Sequence, residues 1–156
     1  MRRWVLHPRV TLAARVILGL VFIAAAVPKI GDPPGFAKSI WAYQLVPAAL
    51  LNPLALILPW LELLCGLALL AGIWLRAAAL WTGALLLVFC AALGVNLARH
   101  RPVDCGCFGA SAPKTEAQRL ADMRWVLLRD AALLLLVAQV WTASRKAERP
   151  GAGDPR

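Results

Sequence analysis

Four long apolar runs, separated by brief polar or helix-breaking interruptions, set the pattern of this chain: Val10 to Ile30, Leu54 to Ile73, Ala77 to Leu97 and Arg124 to Thr142. Each is about 20 residues, the length a helix needs to cross a bilayer. After the first run, Gly31-Asp32-Pro33-Pro34-Gly35 halts the helix, because proline and glycine do not continue one cheaply. Between Phe36 and Leu51, apolar residues at 36, 40, 43 and 46–47 fall near helical spacing. That spacing predicts a short helix at the membrane interface, anchored by Trp41 and Tyr43, with an irregular loop competing beyond Pro47. Trp74-Leu75-Arg76 is a tight connection, so the second and third runs are antiparallel neighbours. Pro59 lies within the second run and is tolerated where neighbours satisfy the carbonyl it frees. The pattern therefore predicts an all-α integral membrane four-helix bundle with a short interfacial helix after the first span. Residues 1–9 form a basic leader, 10–143 the membrane domain, and 144–156 a charged, Gly- and Pro-rich tail expected to be disordered. A cleavable signal peptide competes for the first run, on the basic start, the apolar stretch and Ala24-Ala25-Ala26.

Composition agrees with the pattern. Hydrophobic residues make up 61% of the 156-residue chain, more than a soluble core of this length can hide. Seventeen Lys and Arg against eight Asp and Glu leave a net charge of +9, which favours anionic lipid head groups. No basic face or nucleic-acid motif accompanies the charge, so the expected partner is the lipid bilayer and not nucleic acid. The seven tryptophans read as anchors at the water–lipid boundary rather than as a quinone site. Four spans put both termini on one side and residues 31–53 and 99–122 on the other. Eight basic residues then lie on the terminal side and seven on the loop side, too even a division for the positive-inside rule to fix orientation.

The specific chemistry sits in the long polar segment, at Asp104-Cys105-Gly106-Cys107-Phe108-Gly109. A disulfide needs Cα atoms about 4.4–6.8 Å apart. An extended i, i+2 pair is near or past that limit, and Gly106 lets the chain turn to bring Cys105 and Cys107 within it. Such a small ring closes almost no loop and adds little stability, whereas its strain makes it easy to reduce. It is a poor staple and a good exchange partner. Arg99, His100 and Arg101 upstream favour a thiolate, and Asp104 opposes it. Disulfides persist in compartments such as the bacterial periplasm, so exchange chemistry favours an outward-facing loop. Two other readings stay open. Zinc would want four ligands, and the remaining candidates are His100, Cys65 and Cys90, so no metal site is assigned. Alternatively, the glycines only make a turn and the cysteines fill space.

Charges inside the spans are functional hypotheses by default, because each is costly unless paired or hydrated. These are Arg15, Glu62, Arg129 and Asp130. Counting ~1.5 Å of rise per residue puts Glu62 roughly 12 Å and Arg129 roughly 7 Å below the outer edge. The preferred ion pair is Glu62–Arg129, with Arg15 reaching Glu62 from below or snorkelling away. Cys65 and Cys90 read first as small packing residues. A similar count puts them roughly 10–18 Å deep, so a second redox pair between neighbouring helices is the alternative.

Taken together, these residues resemble the MauE membrane proteins, the methylamine-utilisation branch of the wider DoxX-like group. The resemblance runs from about Leu12 to Val140. It rests on Arg15-Val16-Ile17-Leu18-Gly19, Lys29-Ile30-Gly31-Asp32-Pro33, Phe36, Tyr43 through Pro47, Pro59-Trp60-Leu61-Glu62, Asn96, the Asp104–Gly109 string and Arg129-Asp130. It implies a four-helix inner-membrane protein linked to maturation of the disulfide-rich small subunit of methylamine dehydrogenase, alongside a thioredoxin-like partner. The expected activity is thiol–disulfide exchange through Cys105 and Cys107, on a periplasmic thioredoxin-like protein or a disulfide-containing secreted client, with no bound cofactor. Two alternatives accompany it: a non-catalytic membrane scaffold or transport factor for a secreted client, and a DoxX-like quinone-linked oxidoreductase subunit with a cavity near Glu62, Trp60 and Cys90.

Overall fold

Caps and prolines decide where these helices begin. The computed structural model describes residues 7–101, 103 and 115–147; the leader through 6, the Asp104–Gly109 string and the tail beyond 147 lie outside the described residues. Helix α1 (Pro8–Gly31) starts at Pro8, with the His7 side chain accepting from the Arg9 N–H at 3.3 Å. Asp32 ends it and caps the next helix, α2 (Pro33–Ala42), by accepting from the Gly35 N–H at 3.0 Å. Two prolines follow Asp32 in the first turn of α2, where a missing N–H costs nothing. Helix α3 spans Ala48–Ala71 and α4 spans Leu75–Ala98. Helix α5 (Glu116–Ala147) opens on a reciprocal capping box. The Gln118 N–H donates to Thr115 Oγ1 at 3.3 Å, and the Thr115 N–H to Gln118 Oε1 at 2.9 Å.

Two boundaries differ from the sequence expectation. The stretch beyond Pro47, where a loop competed, is already helix: α3 begins at Ala48 rather than Leu54. Pro53 therefore lies inside the helix, where it gives up one backbone bond, to the Ala49 carbonyl. Helix α5 starts eight residues before Arg124 and runs to Ala147, past the expected domain boundary at 143. Its 32 residues span about 48 Å at 1.5 Å per residue, so it projects beyond a bilayer core and its ends can be polar. Among the described residues every regular element is helical. The four long helices α1, α3, α4 and α5 are long and apolar enough to cross a membrane. Leu20, Val27, Ile57, Leu64, Leu87, Val88 and Leu135 are exposed along them, as lipid-facing positions are.

These helices close into a ring in chain order, each packed on the next and α5 on α1, while α2 lies on α3. Backbone contact between α1 and α3 sets the ring's tightest seam. A Cβ built on Gly19 would sit 2.9 Å from the Gly66 carbonyl oxygen, and one on Gly66 would sit 2.9 Å from the Gly19 carbonyl oxygen. Small residues permit this approach, which is how helices gain packing energy where lipid supplies no hydrophobic drive. At the far end of α3, Gly72 takes φ +78° and its N–H and that of Ile73 both close on the Ala68 carbonyl. The chain can then turn at once into α4.

The interior is layered. On the terminal side, an apolar cluster gathers Leu18, Phe22, Cys65, Leu69, Ala79, Leu86, Leu133 and Val137. On the loop side, a second gathers Tyr43, Leu93, Val103, Met123 and Val126. Asp130 falls between them along α5, and Lys29 of α1 and Glu62 of α3 line the same cleft as it does.

Gly66→Leu should force the α1–α3 seam apart and cost about 1–3 kcal/mol, the usual price of overpacking. Thermal unfolding of the detergent-solubilised protein checks this; an unchanged midpoint would remove the seam from the account of the fold.

Candidate functional site: a charged layer between two apolar cores

Lys29 anchors the site. It lies on α1 in phase with Leu18, Phe22 and Ala26, which are buried with it, so its helix carries the ammonium inward. Its Nζ donates to both carboxylate oxygens of Glu62 on α3, at 2.8 and 2.7 Å. The two side chains are only 9% and 16% exposed. The same ammonium lies 4.9 Å from the centroid of the Phe36 ring on α2, a cation–π contact that ties the short helix to the pair.

A second pair stands on α5. Arg129 directs both Nε and an Nη nitrogen at Asp130 Oδ1, each at 2.9 Å. Asp130 is 1% exposed, and its other oxygen, Oδ2, has no hydrogen-bond partner among the described residues. Both pairs line one cleft of about 60 Å³, whose walls are Val21, Phe22, Leu85, Leu86, Phe89 and Leu133. Two cations and two carboxylates balance. Buried ions pay several kcal/mol each in desolvation, and only pairing offsets it. The layer therefore holds as a set: removing one member leaves its partner's charge stranded.

The expected pairing is thus corrected. Glu62 is held by Lys29, and Arg129 is drawn to its neighbour Asp130. The helix-rise count ranked depths correctly enough to bring Glu62 and Arg129 to one cleft, but it could not see that α1 delivers a cation closer. Arg15 does not reach Glu62. Its Nε donates to the Leu69 carbonyl at 3.0 Å and its Nη2 to the Leu70 carbonyl at 3.4 Å. There it caps the C-terminus of α3, where unsatisfied carbonyls and the helix dipole favour a cation. Cys65 and Cys90 are two free thiols, Cys65 buried in the terminal-side cluster and Cys90 half-buried outside it. Trp60 does not line the cleft and is 55% exposed. Cys105, Cys107 and their neighbours Asp104, Gly106, Phe108 and Gly109 lie outside the described residues, between a buried Val103 and the Thr115 cap.

From sequence, Lys29 counts with the loop side and not with a span, because it stands one residue before the expected end of the first run. The available signal was its phase with Leu18 and Phe22. Asn96 was overlooked as a brace. It is fully buried and its Nδ2 donates to the Tyr43 carbonyl at 3.2 Å and the Ala92 carbonyl at 3.0 Å. It thereby pins the α2–α3 connection to α4, on the loop side of the charged layer.

Fold and site together define a multi-pass membrane bundle carrying a charge-balanced layer across its interior. The chain belongs to the MauE family: the family model for methylamine utilisation protein MauE matches residues 7–143. It is similar to the methylamine utilization protein MauE of Paracoccus denitrificans, 36% identical over 69% of this chain and 59% of that protein. It is also similar to the protein of the same name from Methylophilus methylotrophus, 40% identical over 69% of this chain and 57% of that protein. The matched region thus spans less than two thirds of either relative. No solved structure matches.

Glu62→Leu or Lys29→Met alone should destabilise the solubilised protein by about 3–5 kcal/mol, the cost of stranding a buried charge. The double variant Lys29→Met/Glu62→Leu should recover most of that loss. A double-mutant cycle of thermal unfolding measures the coupling; additive effects would mean that the two side chains do not act as a pair.

Proposed function

We propose that this protein is the membrane component of a thiol–disulfide exchange step that matures exported proteins, in the pathway for which its relatives are named, methylamine utilisation. Cys105 and Cys107 are its working pair. In the exchange, one thiolate attacks a sulfur of the partner's disulfide and forms a mixed disulfide. The second thiol then resolves it. One protein's dithiol becomes a disulfide as the other's disulfide becomes a dithiol, so two electrons and two protons change hands. The partner is a thioredoxin-like protein or a disulfide-containing client on the outer side of the bacterial inner membrane, where such bonds persist.

The observation that supports this most is the anchoring on both sides of the motif. Val103 is 7% exposed and packs in the loop-side core with Tyr43, Leu93, Met123 and Val126. Thr115 is fixed in its capping box. The described residues that flank the pair in sequence are thus both fixed at the loop-side end of the bundle.

A second reading has its own support. The cleft beside Asp130 has apolar and aromatic walls, two cations that could donate to a carbonyl, and a carboxylate oxygen that lacks a donor. That donor and acceptor set matches the oxygens of a lipid-soluble quinone, which would supply electron exchange with the membrane pool, but at about 60 Å³ the cleft would have to widen to admit its ring. Lys29 and Arg129 would orient the ring oxygens, and Asp130 would accept from a hydroxyl.

Cys105→Ala and Cys107→Ala discriminate these readings. One of the two should trap a mixed disulfide with a periplasmic thiol protein, visible on non-reducing gels and lost on reduction. A membrane-impermeant maleimide should label the wild-type pair in intact cells only after mild reduction. Labelling confined to lysed cells would put the motif on the cytoplasmic side and end the maturation role. Full tolerance of both substitutions would leave a scaffold or transport factor. Loss of quinone-linked electron transfer in Asp130→Asn, with partner exchange intact, would favour the second reading.

A further inference from the structure

A second cavity, away from the charged layer, lies at the loop-side ends of α2, α4 and α5. It has a volume of about 500 Å³ and is lined by Lys38, Ser39, Ala42, His100, Arg101, Val103 and Arg119. That volume is in the range of small-ligand sites. Four of these side chains are basic, and none is a carboxylate.

The backbone that presents them is constrained. Helix α4 ends in a turn closed by the His100 N–H on the Leu97 carbonyl at 3.1 Å and the Arg101 N–H on the Asn96 carbonyl at 3.0 Å. This is the paired bonding of a Schellman cap. His100 occupies its left-handed position at φ 51°, where a side chain is strained and glycine is usual. Helix α3 also ends on a left-handed residue, Gly72, with the N–H groups of Gly72 and Ile73 both on the Ala68 carbonyl. The chain thus uses glycine at one end of the bundle and a strained imidazole at the other. Asn96, which accepts from Arg101 through its backbone, also holds the Tyr43 carbonyl through its side chain. That fixes the α4 end against the α2–α3 connection.

The geometry points to a binding site for the phosphate of an anionic phospholipid. The Arg101 fork and Lys38 match phosphate oxygens, and the imidazole of His100 adds a further donor. A lipid is favoured over a soluble anion by what adjoins the cleft. Trp41 stands one helical turn from Lys38 and is 48% exposed, and Leu45 and Leu50 continue the exposed apolar surface. An indole at the head-group level, with apolar side chains below it, suits a lipid whose phosphate meets the cations and whose chains run along the bundle.

Native mass spectrometry of the full chain, offered equal amounts of phosphatidylglycerol and phosphatidylcholine, tests this. The anionic lipid should be retained in preference. Lys38→Ala and Arg101→Ala should each weaken that retention about five-fold, the worth of one cation near a membrane surface. Arg9→Ala, at the opposite end of α1, should leave it unchanged, and Arg101→Lys should lose less than Arg101→Ala. The helical circular dichroism of each variant confirms folding, since both target side chains are exposed. Equal retention of the two lipids, or an equal loss in Arg9→Ala, overturns the proposal. Displacement by inorganic phosphate would overturn it in favour of a free anion site, and displacement by an acidic peptide in favour of a protein dock.

Discussion

Four ionisable groups held out of water constrain everything else in this bundle. Lys29, Glu62, Arg129 and Asp130 sit at one level, with an apolar cluster above and another below. In such surroundings a charge without a partner is far more costly than any single packing contact is favourable. The helices must therefore meet at a register that pairs them. The Gly19–Gly66 contact brings α1 close enough to α3, and α2 adds Phe36 against the same ammonium. The Arg15 cap at the end of α3 uses a further, half-buried cation, satisfying carbonyls instead of a carboxylate.

The layer also separates two ends of different character. On the terminal side the bundle closes tightly, through Gly72 and the stack of Arg76 and Arg145 on Trp141, at 5.7 and 5.6 Å from the ring centroid. On the loop side the segments are longer, and they are secured by Asn96, Val103 and the Thr115 capping box. A working surface belongs at an end whose connections are long but pinned. Long connections supply chemistry that helices cannot, and pinning keeps it in place. The basic cavity belongs to that end of the molecule, as do Val103 and Thr115, the described residues that flank the Asp104–Gly109 string in sequence.

The family relationship and the physics agree on which residues stand apart. Lys29, Glu62, Asn96 and the Arg129-Asp130 dipeptide carried the sequence resemblance, and the fold gathers them in and directly above one cleft. Their common feature is that each is expensive to bury. In a chain where most positions need only be apolar, such residues mark where the bundle pairs charges or acts on a ligand.

Apolar runs of bilayer length, interrupted by Pro, Gly and charge, determined by themselves that this is an all-helical four-span membrane protein, because those lengths and that composition leave a chain few other ways to satisfy its backbone. The same reading picked out Glu62, Arg129, Asp130 and Arg15, since a charge in a span is conspicuous whatever surrounds it. It could not choose their partners. Depth along a helix is legible from residue count, but the direction a side chain faces across the bundle depends on helix rotation and on which helices touch. Lys29 looked like a boundary residue until α1 was turned to place it with Phe22 and Ala26. Arg15 looked like a partner for Glu62 until the antiparallel pairing of α1 and α3 carried it to the other end. The capping box that starts α5 early was written in Thr115 and Gln118, yet only the folded chain showed that a polar stretch would extend a span instead of ending it. Sequence fixes which residues are costly to bury; tertiary structure decides which of them meet, because that choice is made between helices and not along them.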